Sequence, residues 1–304
     1  VTLAVLRIAP GLPGKKFIRR VALALGGIAL LGGAGPVTRS LAIPARDGAP
    51  AHEVRVLLWQ ATTPGPHPLL VYQPSWGGRA DENSRMAAML AQAGFTVAAV
   101  DYATEQPSGF ASQMQRMQVA LDLSSDAAVA RTTAEGDWRA VLMASDSSVV
   151  MDLLPAALQA PAAGIFGWSF GGAVAVEACR QDHRFKACLN MDGWMFGPAA
   201  DDPSPQPYLV MSGDPYPATD EPAHDPAGEL DRRDGARLRA RFAAVGGSYA
   251  QLDGLQHTGF SDAGNNPAVG ALVEAFFAHA LMGAPEPAES PAGVTWHRVA
   301  GPAG

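Results

Sequence analysis

One serine stands in a setting that could make it a nucleophile. Ser169 lies in Gly167-Trp168-Ser169-Phe170-Gly171-Gly172, with glycines two residues to either side. A serine displayed on a sharp strand-to-helix turn needs small neighbours at those positions, because the strained backbone leaves no room for a Cβ. The context supplies both flanks. Gly164-Ile-Phe166 reads as the strand leading in, and Ala173-Val-Ala-Val-Glu-Ala-Cys179 as the helix leading out. A serine hydroxyl is a weak nucleophile at neutral pH, so a base must take its proton and an acid must orient that base. In this arrangement the chain order is serine, acid, histidine.

Among the histidines after Ser169, His257 follows the strand-like Ser248–Leu252 in the Gly-flanked loop Gly254-Leu-Gln-His257-Thr-Gly-Phe260. His279 sits on an apolar helix, where a structural role is expected. His224 lies in a Pro-rich loop with no strand just before it. His257 is therefore the expected base. Two acids compete to orient it: Asp192 after Leu189-Asn-Met191, and Asp214 after Leu209-Val-Met-Ser-Gly213. Each follows the carboxyl end of a strand, where open α/β sheets gather their functional groups, and spacing does not choose between them. An oxyanion also needs two backbone N–H donors. One is expected from Phe170, the residue after the serine, and the other from the loop Gln73-Pro-Ser-Trp-Gly-Gly78. Trp76, Trp168 and Trp194 fall near these residues. They would give an aromatic acyl pocket at Trp168 and Trp194, or equally pack in the core.

The elements that must hold these residues alternate along the chain. Glu53–Trp59 alternates like an edge strand, Pro68–Tyr72 and Phe95–Val100 read as interior strands, and a helix spans about 83–93. Further strands are expected at Lys186–Met191, Tyr208–Met211 and Ser248–Leu252, and a last helix at about 267–281. Strands alternating with helices predict a mainly parallel central sheet flanked by helices on both faces, the α/β-hydrolase fold. A less regular stretch, about 103–160, holds helical segments near 112–123 and 137–154 and reads as a cap-like insertion. The organisation expected is a targeting segment over 1–39, a catalytic domain over 40–282 and a Pro/Ala/Gly-rich tail over 283–304, a strap or disordered.

Composition excludes several classes. The 304 residues carry a net charge of −7 with 17% charged and 48% hydrophobic residues, which is globular rather than disordered. Arg7, Lys15, Lys16, Arg19 and Arg20 precede Val21, so the remainder is more acidic still, with no footprint for nucleic acid. Those cations, the apolar run Val21–Leu31 and the small residues through Gly35 have the order of a secretory signal beginning near Lys15. An exported, periplasmic or secreted protein is expected, without a lipoprotein anchor. Cys179 and Cys188, the two cysteines, could pair in an oxidising compartment or lie buried as thiols. No histidine or cysteine spacing suggests a metal site, and the chemistry calls for no cofactor.

Ser169-Phe-Gly-Gly172, Arg184-Phe-Lys186, Asp192-Gly-Trp-Met-Phe196, Pro205-Gln-Pro207, Ala93–Val100 and the His257 loop together resemble the platelet-activating-factor acetylhydrolase family, over roughly residues 66 to 262. The resemblance implies that Asp192, heading the Asp-x-Trp-Met-Phe motif, is the acid of the triad, and that Asp214 is not. It places the second oxyanion donor on Trp76, with Gly77 as the fallback, although Pro74-Ser75 stands where the family has His-Gly. It implies a serine esterase acting on short acyl chains of phospholipid-like or simple esters, so the partner is a small-molecule or lipid ester. A polyesterase, cutinase-like or lipase-type enzyme on the same scaffold is the nearest alternative. A non-catalytic binding protein that kept the fold is the alternative from another class.

Overall fold

The computed structural model describes residues 35–45, 50–102, 121–214, 225–264, 266–286 and 292–301. Most of the targeting segment, the helical stretch near 112–120 and His224 lie outside them. Among the described residues, nine strands form one sheet in the order β1-β2-β4-β3-β5-β6-β7-β8-β9. They are β1 (Val37–Ile43), β2 (His52–Trp59), β3 (Leu69–Gln73), β4 (Thr96–Asp101), β5 (Ala163–Trp168), β6 (Phe185–Met191), β7 (Tyr208–Ser212), β8 (Gly247–Leu252) and β9 (Val294–Val299). The six strands from β3 to β8 run parallel. β1 and β2 at one edge and β9 at the other pair antiparallel. Every residue of β3, β4, β5 and β7 is buried, as expected of strands covered on both faces.

Among the described residues, five helices flank the sheet: α1 (Ser84–Gln92), α2 (Asp126–Leu158), α3 (Phe170–Gln181), α4 (Pro226–Val245) and α5 (Pro267–Met282). They define two cores. On one face Val56, Val71 and Ile165 of the sheet meet Leu154 of α2, Val174 of α3 and Phe242 of α4. On the other, Leu70, Val97 and Leu189 meet Leu90 of α1 with Leu272 and Phe277 of α5. Burial of this extent, at about 25 cal/mol per Å² of apolar surface, is what holds the strand ends in register and so fixes the loops between them.

Three expectations change. The sheet already begins at Val37, within the stretch assigned to targeting, and buries Leu41 and Ile43 on alternate positions against β2. The cap-like insertion resolves, from residue 126 on, into the single helix α2. Its buried residues, Ala140, Ala144, Val150 and Leu154, pack in the core. Gly136 lies within that helix. It is retained because a Cβ would meet the Phe196 ring at 2.6 Å, so packing overrides helix propensity. The tail contributes a full edge strand: Val294–Val299 pairs residue by residue with Gly247–Leu252. Its Pro/Ala/Gly-rich flanks masked a short β-branched and aromatic run.

Candidate active site

Three strands deliver the three residues. β5 ends at Trp168, and the chain turns through Ser169 directly into α3. Ser169 adopts φ 55°, ψ −125°, a conformation that costs a non-glycine residue on the order of 1–3 kcal/mol and persists only where surroundings impose it. They do so here. The Ser169 N–H donates to Met191 O at 2.8 Å. A Cβ on Gly171 would lie 2.1 Å from Gln73 O, so only glycine lets α3 begin this close to β3.

β6 ends at Met191, and Asp192 follows in a left-handed turn with φ 55°. The buried Asn190 holds that turn from within. Its Oδ1 accepts from Gly193 N at 2.9 Å and its Nδ2 donates to Gly193 O at 2.8 Å. The Asp192 N–H donates to Met211 O at 2.7 Å. The loop after β8 carries His257 at the head of the short turn His257–Phe260.

The side chains meet in sequence. His257 Nδ1 lies 2.6 Å from Asp192 Oδ2, and His257 Nε2 lies 3.1 Å from Ser169 Oγ. An ionised carboxylate only accepts, so Nδ1 carries the proton and Nε2 is free to accept from the serine hydroxyl. Asp192 is mostly buried, at 14% exposure, while His257 is 39% exposed to the cavity. Asp214, the competing acid, does not bond to His257. Its N–H donates to Ser212 Oγ and its carbonyl accepts from Tyr249 Oη.

One residue that sequence reasoning did not assign, and one that it assigned to the substrate pocket, complete the arrangement. Ser212, at the end of β7, donates from Oγ to Asp192 Oδ1 at 2.6 Å and so pins the second carboxylate oxygen. Trp168, expected in the substrate pocket, is instead fully buried behind the site. Its Nε1 donates to His257 O at 3.0 Å and its ring lies 5.2 Å from the imidazole. The residue before the serine thus positions the histidine loop. Position 168 faces inward because β5 is covered on both sides. Nothing in the motif marks Ser212, whose role depends on β7 lying beside β6.

A cavity of about 780 Å³ opens above Ser169. Trp76 and Phe170 both line it, with ring centroids 4.6 Å apart, and Phe196 packs 5.6 Å from Phe170. Trp194 lines it as well, donating from Nε1 to Asp231 Oδ1 at 2.6 Å. Gly77 turns the chain with φ 67° beside Trp76 and does not line the cavity. Phe170 is the first residue of α3, where N–H groups lack helical partners and the helix dipole favours negative charge.

Asp214, Asp231 and Asp234 also face the cavity. Burial raises the Asp231 carboxyl above the usual carboxylate range, against the opposing Trp194 bond. Burial likewise pushes the Asp234 carboxyl up to about 7, although it accepts a hydrogen bond from Met195 N.

The chain combines a mainly parallel sheet with a strained serine at the β5–α3 turn, which defines the α/β-hydrolase fold. In particular it resembles the platelet-activating factor acetylhydrolase family: the family model for isoform II matches residues 111–220, a span that includes Ser169 and Asp192. The fold matches that of a ferulic acid esterase from Streptomyces cinnamoneus, with a TM-score of 0.64 and 21% identity over 86% of this chain and 95% of that one. No curated protein matches the sequence.

Proposed function

We propose that the protein hydrolyses esters through an acyl-enzyme on Ser169. His257, oriented by Asp192, takes the Ser169 proton as Oγ attacks the ester carbonyl. The alcohol leaves with that proton, and water repeats the cycle on the acyl-enzyme. The amides of Phe170 and Trp76 are the donors for the oxyanion. The observation that carries this reading is the continuous contact from Asp192 through His257 to a backbone-strained Ser169.

The acyl group is compact. The resemblance to the acetylhydrolase family supports a short chain. The aromatic wall of Trp76, Phe170 and Phe196 favours, as a second reading, a small aromatic acid of the kind that the structural neighbour's name describes. The carboxylates of Asp214 and Asp231 on the same cavity favour neutral or cationic alcohols over anionic ones. Export belongs to the same proposal. Cys179 and Cys188, both fully buried, form a disulfide between the end of α3 and β6, in keeping with an oxidising compartment.

The test is hydrolysis of p-nitrophenyl esters from acetyl to palmitoyl, together with methyl ferulate, by wild type and Ser169→Ala. Turnover confined to short or small aromatic acyl groups, with fluorophosphonate labelling that Ser169→Ala abolishes, is expected. Activity that survives Ser169→Ala would overturn the mechanism, and a long-chain preference would move the assignment to lipases or polyesterases.

A further inference from the structure

The loop that carries Trp76 is tied down by an acid outside the site. Glu82 lies in the short turn Ala80–Asn83 that precedes α1. Its Oε1 accepts from the Ser75 backbone N–H at 2.7 Å and from Tyr72 Oη at 2.6 Å, and its Oε2 accepts from Ser75 Oγ at 3.0 Å. Ser75 immediately precedes Trp76. A half-buried carboxylate holding both the amide and the hydroxyl of one loop residue is costly to desolvate and geometrically demanding.

The loop is built around it. A Cβ on Gly78 would lie 2.3 Å from Glu82 Oε2 and 2.6 Å from Ser75 Oγ. The carboxylate thus occupies the space that any other residue would fill. Gly78 shows no positive φ, so its requirement for glycine is steric.

The same turn reaches the histidine loop. Asp262 N donates to the Glu82 carbonyl at 3.1 Å, and Arg85 N donates to Asp262 Oδ2 at 2.8 Å. Asn83 Nδ2 donates to Tyr72 Oη at 2.9 Å. Residues 82–85 therefore bind the segment before Trp76 on one side and the segment just after the His257–Phe260 turn on the other. On the cavity side the Trp76 ring is fixed against Phe170.

We propose that Glu82 is a positioning residue for ester hydrolysis: it sets the Trp76 amide as the second oxyanion donor and keeps that loop in register with the loop bearing His257. The proposal rests on the serine-esterase reading above. An oxyanion donor acts in the transition state and contributes little to ground-state binding, so the expected signature is a fall in kcat without a change in KM. Burial pushes the Glu82 carboxyl up to about 7, against the Tyr72 and Ser75 bonds.

The experiment compares Glu82→Ala, Glu82→Gln and Gly78→Ala with wild type on p-nitrophenyl acetate, alongside Ser169→Ala. Glu82→Ala should lower kcat by about 10²-fold, the effect of losing or misplacing one oxyanion donor, with KM within about twofold. Glu82→Gln keeps an acceptor for Ser75 N and Tyr72 and should recover kcat to within about tenfold of wild type, the cost of weakening one or two hydrogen bonds. If Glu82→Ala does not fold, Gly78→Ala decides, because its Cβ lands between the carboxylate and Ser75, forces that contact apart and should reproduce the fall in kcat. Unchanged kcat in folded Glu82→Ala or Gly78→Ala, or a rise in KM at constant kcat in either, would overturn the proposal. Wild-type activity insensitive to Ser169→Ala would instead overturn the underlying mechanism, so the two failures are distinguishable.

Discussion

Replacing Asp192 by asparagine probes the site through a single proton. Ser212 Oγ donates to Asp192 Oδ1 while His257 Nδ1 meets Oδ2. In Asp192→Asn the amide keeps its oxygen toward the Ser212 hydroxyl and so turns its NH₂ toward His257. Nδ1 must then accept, the imidazole proton moves to Nε2, and Nε2 faces Ser169 with a hydrogen instead of a lone pair. A wrong tautomer of this kind costs about 10⁴ in turnover, or about 5.4 kcal/mol of transition-state stabilisation. Asp214→Asn, which touches no atom of His257, should stay within about twofold, well under 1 kcal/mol. The same geometry makes a sharper prediction. Adding Ser212→Ala to Asp192→Asn releases the amide to turn its oxygen toward Nδ1–H, so the double variant should be faster than Asp192→Asn alone. The assay is kcat on p-nitrophenyl acetate for the four variants, with Ser212→Ala as the remaining member of the cycle. A loss in Asp214→Asn equal to or larger than that in Asp192→Asn would refute the reasoning. A double variant slower than Asp192→Asn would refute the orienting role of Ser212.

Three further outcomes follow from named contacts. Trp168→Phe keeps the buried ring but loses the indole donor to His257 O; kcat should fall about fivefold, the worth of about 1 kcal/mol, and steady-state kinetics would show it. Gly171→Ala places a Cβ 2.1 Å from Gln73 O, so soluble expression should collapse rather than activity alone decline; a folded, active variant would contradict the elbow geometry. Asp234 is held near 7 against an ordinary 3.8, so between those values the unfolded chain has lost a proton that the folded chain keeps. Stability therefore falls as pH rises from about 4 to about 7. Asp234→Asn should be more stable than wild type at about pH 8, by on the order of 2 kcal/mol after discounting for a half-buried position, and little different near pH 4. Urea unfolding at both values checks this, and an equal difference at both would refute it.

Much of the fold was legible because alternation and turn residues are local signals. The interior strands carry unbroken apolar runs, Ser169 lies between the glycines its backbone demands, and His257 follows the last parallel strand. The edge strands were not legible. Val37–Ile43 and Val294–Val299 are short, half-exposed and flanked by Gly, Pro and Ala, and their pairing energy comes from β2 and β8. Helix α2 was underestimated for a related reason: Gly136 weakens a helix in isolation but is required beneath the Phe196 ring.

By itself the sequence determined the residue types and their order, a serine elbow, two candidate acids after successive strands and one loop histidine, because those follow from backbone sterics and from strand-to-loop alternation. Strand order and spacing left Asp192 and Asp214 equal and the family motif favoured Asp192; the tertiary structure supplies the physical reason, since both acids follow parallel strands and differ in which neighbour their side chain faces. It also decided that Trp168 holds the histidine loop from behind, that Ser212 pins the acid, and that Glu82 anchors the loop before Trp76. Each of these is a contact between segments brought side by side by the sheet order, and sequence separation carries no trace of it.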